Sequence, residues 1–142
     1  MSDGLSNVEI VQDTMDAFND RDFLRVTKWL SEDLEFTEVA NGRTFRGPAG
    51  IIEEYENWAR AFPDGRTEVQ NLQACGDWVF VEHIVKGTNT GPMPGPDGTE
   101  IPPTNAYIEI PSCDVIHLKD GQVIEGRTYF DLYAVKQKLG EI

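Results

Sequence analysis

Apolar residues recur every three or four places along the first sixty positions and every second place after Arg66, which divides the chain into a helical part followed by a strand part. Ser6-Asn7-Val8-Glu9 has the form of a capping box. Val8, Val11, Met15 and Phe18 follow at helical spacing, so a first helix is predicted to run to about Asn19. Asp22 is placed to cap a second helix with the stripe Phe23, Val26, Trp29 and Leu30, stopped by Ser31-Glu32-Asp33 ahead of a short strand over 34–39. Asn41-Gly42 makes a turn. Gly47-Pro48 then opens a third helix whose Ile51, Ile52, Tyr55, Trp58, Ala59 and Phe62 form a broad apolar face, ended by Pro63-Asp64-Gly65.

Period-two patterning predicts four strands, over 67–74, 78–88, 105–118 and 122–131, in sequence and therefore as an antiparallel meander. Helices first and a curled sheet afterwards give an α+β fold: a curved antiparallel sheet of about four main strands plus a short one, wrapped by three N-terminal helices into a cone. The whole chain, 1–142, is expected to be a single domain with its pocket at the open end. Between the second and third long strands, Gly91-Pro-Met-Pro-Gly-Pro-Asp-Gly98 and Pro102-Pro103 are expected not to pair as strand, because proline lacks the N–H. That loop of about 15 residues is read either as a lid on the pocket or as a surface loop.

Asp120-Gly121 is a strong two-residue hairpin signal, since a type I′ turn needs positive φ. Counting back from it sets Leu118 opposite Val123, Ile116 opposite Glu125, Asp114 opposite Arg127 and Ser112 opposite Tyr129, all on one face. That face, with Asp114, Glu125, Arg127, Tyr129 and Asp131, carries too many ionisable groups for a dry core and is read as the cavity lining.

The 142 residues include 12 basic and 25 acidic side chains, a net charge of −13, which repels nucleic acid and anionic membrane surfaces. Cys75 and Cys113 lack metal-ligand spacing and read as reduced thiols in a cytoplasmic protein. No apolar run approaches a membrane span and no N-terminal signal pattern is present. A P-loop, GxGxxG, HExxH or GxSxG motif is also absent, and two histidines are few for a metal site. The expected partner is a small-molecule substrate, without nucleic acid, membrane, metal or cofactor.

The segments GTNTGPMPG…IPPTNAYIEI and CDVIHLKDGQVIEGRTYFDLYAVKQKLG, with Asn19, Asp22 and FRGPAGIIEEY before them, resemble the SnoaL-like polyketide cyclases, also called ester cyclases. The resemblance covers most of the chain. It implies the nuclear-transport-factor-like cone and a cyclase that closes a ring by intramolecular aldol condensation, using an aspartate as acid/base and neither metal nor cofactor. The family's aspartate falls on Asp131. Ketosteroid isomerases share the fold, and their strand-borne acid falls on Asp114. Many members read Glu-His-Trp where this chain has Glu125-Gly126-Arg127, and a guanidinium there lowers the pKa of a nearby carboxylate and favours anions.

The catalytic candidates are therefore Asp131, Asp114 and His83, each with a structural alternative. Asp131 stands where it could equally be a helix N-cap, Asp114 could be an ion-pair partner of Arg127, and His83 could be a hydrogen-bonded core residue. Arg127 and Tyr129 are candidate oxyanion donors, while Trp58, Tyr55 and Trp29 pack the helices and offer substrate contacts. Glu53, Glu54 and Glu56 read as a solvated helix face. Val115, Ile124 and Phe130, placed away from the pocket, predict a homodimer through the outer sheet face. The leading function is a cyclase or isomerase acting on a polyketide-like or β-keto compound through an enolate. The alternatives are a small-molecule-binding or dimerisation module and a related hydrolase or dehydratase.

Overall fold

The computed structural model describes residues 4–95 and 97–142. Helix α1 (Asn7–Asn19) begins in the predicted capping box, with the Ser6 hydroxyl accepting from the Glu9 N–H and the Glu9 carboxylate accepting from the Ser6 N–H. Helix α2 is only Phe23–Thr27, capped by Asp22. The second helix is thus shorter than predicted. Trp29 lies beyond it in the connection and β1 starts early, at Leu30–Glu38. Strand β2 (Arg43–Arg46) runs into α3 (Gly47–Ala61), where Pro48 occupies the first turn as expected.

Strands β3 (Arg66–Cys75), β4 (Trp78–Thr88), β7 (Tyr107–Lys119) and β8 (Gln122–Phe130) form the predicted meander, and α4 (Leu132–Lys138) closes the chain. One curved six-stranded sheet has the order β2-β1-β8-β7-β4-β3. β1 enters it parallel to β8, the one parallel pairing among the described residues, and β2 extends that edge antiparallel to β1. The sheet is therefore wider than expected. Within the Gly/Pro-rich loop, β5 (Met93–Pro94) and β6 (Glu100–Ile101) pair after all, against the expectation drawn from the prolines. A two-residue ribbon asks so few N–H groups to pair that Pro94 can take part. Asn89, fully buried, pins the base of this loop: its amide donates to the carbonyls of Ala61 and Gly91, and its oxygen accepts from Thr104 N–H and Oγ1.

The hairpin register departs from the simple count after two pairs. Lys119 faces Gln122 and Leu118 faces Val123, but the next pair is His117 with Glu125, because Ile124 is an extra residue in β8. Such a bulge slips the register by one, and a slip of one residue exchanges the faces of a strand. Asp114 now faces Thr128, Val115 faces Arg127 and Cys113 faces Tyr129. Ile116, Leu118, Val123, Gly126, Thr128 and Phe130 share the inner face with Asp114. Gly126 has a packing reason on this face: a Cβ there would come within 2.6 Å of the Phe36 ring.

The interior holds two apolar clusters. One joins Ile10, Val11, Val26, Trp29, Leu34, Ile51, Val79, Val81, Ile116 and Leu118; the other joins Ala61, Phe62, Ile108, Ile110 and Leu139. Each fully buried aliphatic side chain contributes roughly 1.5–3 kcal/mol by leaving water.

Candidate active site

Between the two clusters the inner face turns polar. Along β7, Ile108 and Ile110 belong to one cluster and Ile116 and Leu118 to the other, with Ser112 and Asp114 between them. Along β4, Val79 and Val81 precede His83. In the β4–β7 register Val81 faces Asp114 and His83 faces Ser112, so His83 and Asp114 are diagonal neighbours on one face. Their side chains meet: His83 Nε2 lies 3.1 Å from Asp114 Oδ1, and both residues are buried. On the other side of the ring, Thr67 Oγ1 lies 2.5 Å from His83 Nδ1. Thr67 is held in turn by Asn19, whose side chain receives the Thr67 N–H at 2.8 Å and donates to its carbonyl at 2.9 Å.

One proton arrangement satisfies this chain throughout. The Thr67 hydroxyl donates to Nδ1, and Nε2–H donates to the Asp114 carboxylate. The opposite tautomer, with Nδ1–H donating to Thr67, leaves the threonine hydroxyl proton without an acceptor among the described residues. Asp114 is thereby oriented through one oxygen, and Oδ2 makes no hydrogen bond to a described residue. A carboxylate fixed by a neutral imidazole and presented from a strand can take a proton from a carbon acid. Tyr55 covers the same region from α3. Burial, with the Asp114 and Glu54 carboxyls nearby, holds its phenol well above the usual range, so it stays a neutral hydrogen-bond donor.

The remaining candidates separate from this group. The bulge carries Arg127 and Tyr129 to the outer face, which corrects their placement on the cavity lining beside Asp114. The Arg127 guanidinium lies 5.7 Å from the Trp78 ring centre and 3.8 Å from Glu125, and Tyr129 is exposed. The ion pair between Asp114 and Arg127 is overturned by the same slip, and Phe130, expected outside, packs inside. Asp131 caps α4, accepting from Ala134 N–H at 3.0 Å, and is exposed. Trp29 is a core residue whose indole donates to Asp13 Oδ2 at 2.8 Å. Trp58 stacks on Phe62 with ring centres 4.1 Å apart, and its indole N–H is buried without a partner among the described residues.

Thr67 and Asn19 were the residues that period and motif did not single out as part of the site. Thr67 opens a strand in a stretch with no apolar repeat to mark its inner face, and only the pairing of β3 with β4 brings it onto His83. Among the described residues, no group of three His, Cys, Asp or Glu side chains is arranged to hold a metal, and no helix is long and apolar enough to cross a membrane.

A curved sheet folded over helices, with a buried carboxylate on its inner face, defines the cone-shaped α+β class that includes the nuclear-transport-factor-like and ketosteroid-isomerase-like proteins. Within it, residues 9–139 match the model of the SnoaL-like polyketide cyclase family, and the chain belongs to that family. The structure is similar to that of a SnoaL-like polyketide cyclase-family protein from Jannaschia sp. CCS1, 25% identical, with a TM-score of 0.82, covering 96% of this chain and 92% of that one. IdmH from Streptomyces antibioticus, a polyketide-cyclase candidate, is 22% identical at a TM-score of 0.75 over 95% of this chain and 99% of its own. An LEH-like epoxide hydrolase of M. tuberculosis shares the fold at 19% identity and a TM-score of 0.71 over 94% of this chain and 89% of its own. No curated protein sequence matches the chain.

Proposed function

We propose that the protein is a cofactor-independent cyclase or isomerase that removes a proton α to a carbonyl in a small polyketide-like or β-keto compound. The observation that carries this reading is the buried chain Thr67–His83–Asp114 set between two apolar clusters. Asp114 is the base, His83 and Thr67 orient it, and Tyr55 is the candidate donor to the enolate oxygen. The net charge of −13 disfavours anionic substrates and so suits a neutral one.

The reaction stays within the protein's own groups. Asp114 takes the α-proton and the carbon–hydrogen electron pair becomes the enolate. A ring closes when that carbon attacks a second carbonyl of the same molecule and its π pair moves onto oxygen, and the resulting alkoxide takes the proton back from Asp114. The experiment is a turnover screen of β-keto and polyketide-like compounds against the purified protein, followed by mass spectrometry and NMR of the product. An isomeric, cyclised or tautomerised product supports the reading; tight binding of panel members without conversion favours a binding module. An epoxide opened by water would place the protein with the hydrolase relative instead.

A further inference from the structure

The polar band on the inner face does not end at Asp114. On β8, Thr128 stands directly opposite Asp114, and residues so paired point the same way, so its side chain is turned inward as well. Its neighbours on that face are small or apolar: Gly126 lies under the Phe36 ring, and Phe130 packs into the smaller cluster. Thr128 thus carries onto β8 the line that Thr67, His83 and Asp114 draw over β3, β4 and β7. Those three are joined by hydrogen bonds, and Thr128 makes none to a described residue.

We infer that Thr128 is the specificity residue of the site, its hydroxyl holding the second carbonyl of a β-dicarbonyl substrate whose central carbon gives its proton to Asp114. The inference rests on the reading of Asp114 as the base and names the substrate that this base receives.

Three polar atoms here have no hydrogen bond to a described residue: Asp114 Oδ2, the Tyr55 hydroxyl and the Thr128 hydroxyl. Among the described residues, the side-chain atoms both unpartnered and closed to solvent are Arg21 Nη1 and Trp58 Nε1, so each of the three is open to an incoming group. Burial along the inner face agrees. At the two ends of β7, Ile108, Ile110, Ile116 and Leu118 keep at most 5% of their surface, while Thr128, Tyr55 and Phe36 around Asp114 are only half-buried.

No neighbour claims the Thr128 hydroxyl. Glu38 lies beside it on β1, but that carboxylate accepts from Asn41 Nδ2 at 3.0 Å and lies 3.8 Å from Arg43. Glu54, expected on a solvated helix face, instead leaves only 22% of its side chain exposed beside Arg43, and burial with the Glu38 charge pushes its carboxyl up to about 7. The groove it lines between β2 and α3 includes neither Asp114 nor Thr128.

In a β-dicarbonyl the acidic C–H lies between two carbonyls, and once the proton has left, the charge is shared by both oxygens. Opposed residues on neighbouring strands hold their Cβ atoms about 4.5–5.5 Å apart, which lets Asp114 meet the carbon while Thr128 meets an oxygen beside it. Tyr55, from α3, serves the other oxygen. Both donors keep their protons, and their hydrogen bonds strengthen as the oxygens gain charge, which favours the transition state over the bound substrate. A compound with one carbonyl leaves the Thr128 hydroxyl without the partner it had in water, so it is the poorer ligand.

The test compares the wild type, Thr128→Val and Thr128→Ser in binding and in rate. Calorimetry uses a β-keto ester dimethylated at its α-carbon, which has both carbonyls and no acidic proton between them, and the matched ester without the keto oxygen. The wild type should bind the keto ester roughly tenfold tighter than its counterpart, Thr128→Val should bind the two alike, and Thr128→Ser should restore the preference. On a panel compound that the wild type converts, Thr128→Val should lose roughly tenfold to a hundredfold in kcat/KM, with Thr128→Ser near wild type and the acid limb of the pH profile unmoved. An undiminished preference in Thr128→Val, no preference in the wild type, or no binding of either ester overturns the Thr128 assignment and leaves Asp114 as the base. Wild-type turnover in Asp114→Asn, or no conversion of any panel compound, overturns the parent reading and with it the substrate named for this site.

Discussion

The imidazole of His83 is bonded at both nitrogens, and this is what makes the neighbouring carboxylate a directed group rather than a buried charge. A lone histidine on an apolar strand face is ordinarily a filler. Here Thr67 fixes its tautomer and Asn19 fixes Thr67, so a chain of four residues from α1, β3, β4 and β7 ends on one oxygen of Asp114. Thr67→Val keeps the shape of the side chain and removes the hydroxyl. The buried Nδ1 then lacks its donor, which should cost about 1–3 kcal/mol of stability in chemical denaturation. The imidazole is also freed to change tautomer, so turnover should fall as well; unchanged turnover with the full stability loss would make Thr67 purely structural.

Among the elements, β4 and β7 were legible because buried apolar residues recur at every second place along much of their length, and α3 was legible from its Pro48 start and wide apolar face. The site was only half legible. His83 and Asp114 stood out as candidates, yet their contact depends on the β4–β7 register, which no turn within the sequence fixes because the β5–β6 loop intervenes. The bulge at Ile124 was invisible for another reason: Val123 and Ile124 are both apolar neighbours, so the hydrophobic pattern does not say which of them is the extra residue. That single residue moved Arg127 and Tyr129 outside. The start of α4 was legible but ambiguous, since an aspartate before Leu132 is equally good as a cap and as a base. With Asp131 exposed and bonded to Ala134 N–H, Asp131→Asn should change stability by less than about 1 kcal/mol, because asparagine caps about as well, and should leave turnover at the wild-type rate.

At the scale of the molecule, the outer sheet face is the surface on which a second copy is expected. Trp78 stacks on His117 with ring centres 4.2 Å apart, Phe80 is 39% exposed, and Val115 lies alongside. Light scattering at micromolar concentration should give twice the chain mass; a species of 15.9 kDa alone would contradict pairing. Glu54 makes stability depend on pH. Its carboxyl binds a proton more tightly folded than unfolded, so its contribution is fully present below the unfolded value of 4.5 and is lost as pH rises through about 7. Glu54→Gln should therefore raise the melting temperature at pH 8 and leave it nearly unchanged at pH 4; an equal shift at both would remove the protonation argument.

The central claim is that the carboxylate held by His83, and not the one that caps α4, takes the proton from carbon. Single-turnover rates of Asp114→Asn and Asp131→Asn on one converted β-keto substrate, with folding checked by circular dichroism and substrate binding measured separately, decide between them. Asp114→Asn should lose roughly 10²–10⁴-fold in rate with substrate still bound, while Asp131→Asn matches the wild type. A wild-type rate in Asp114→Asn, with the loss appearing in Asp131→Asn instead, would contradict the account.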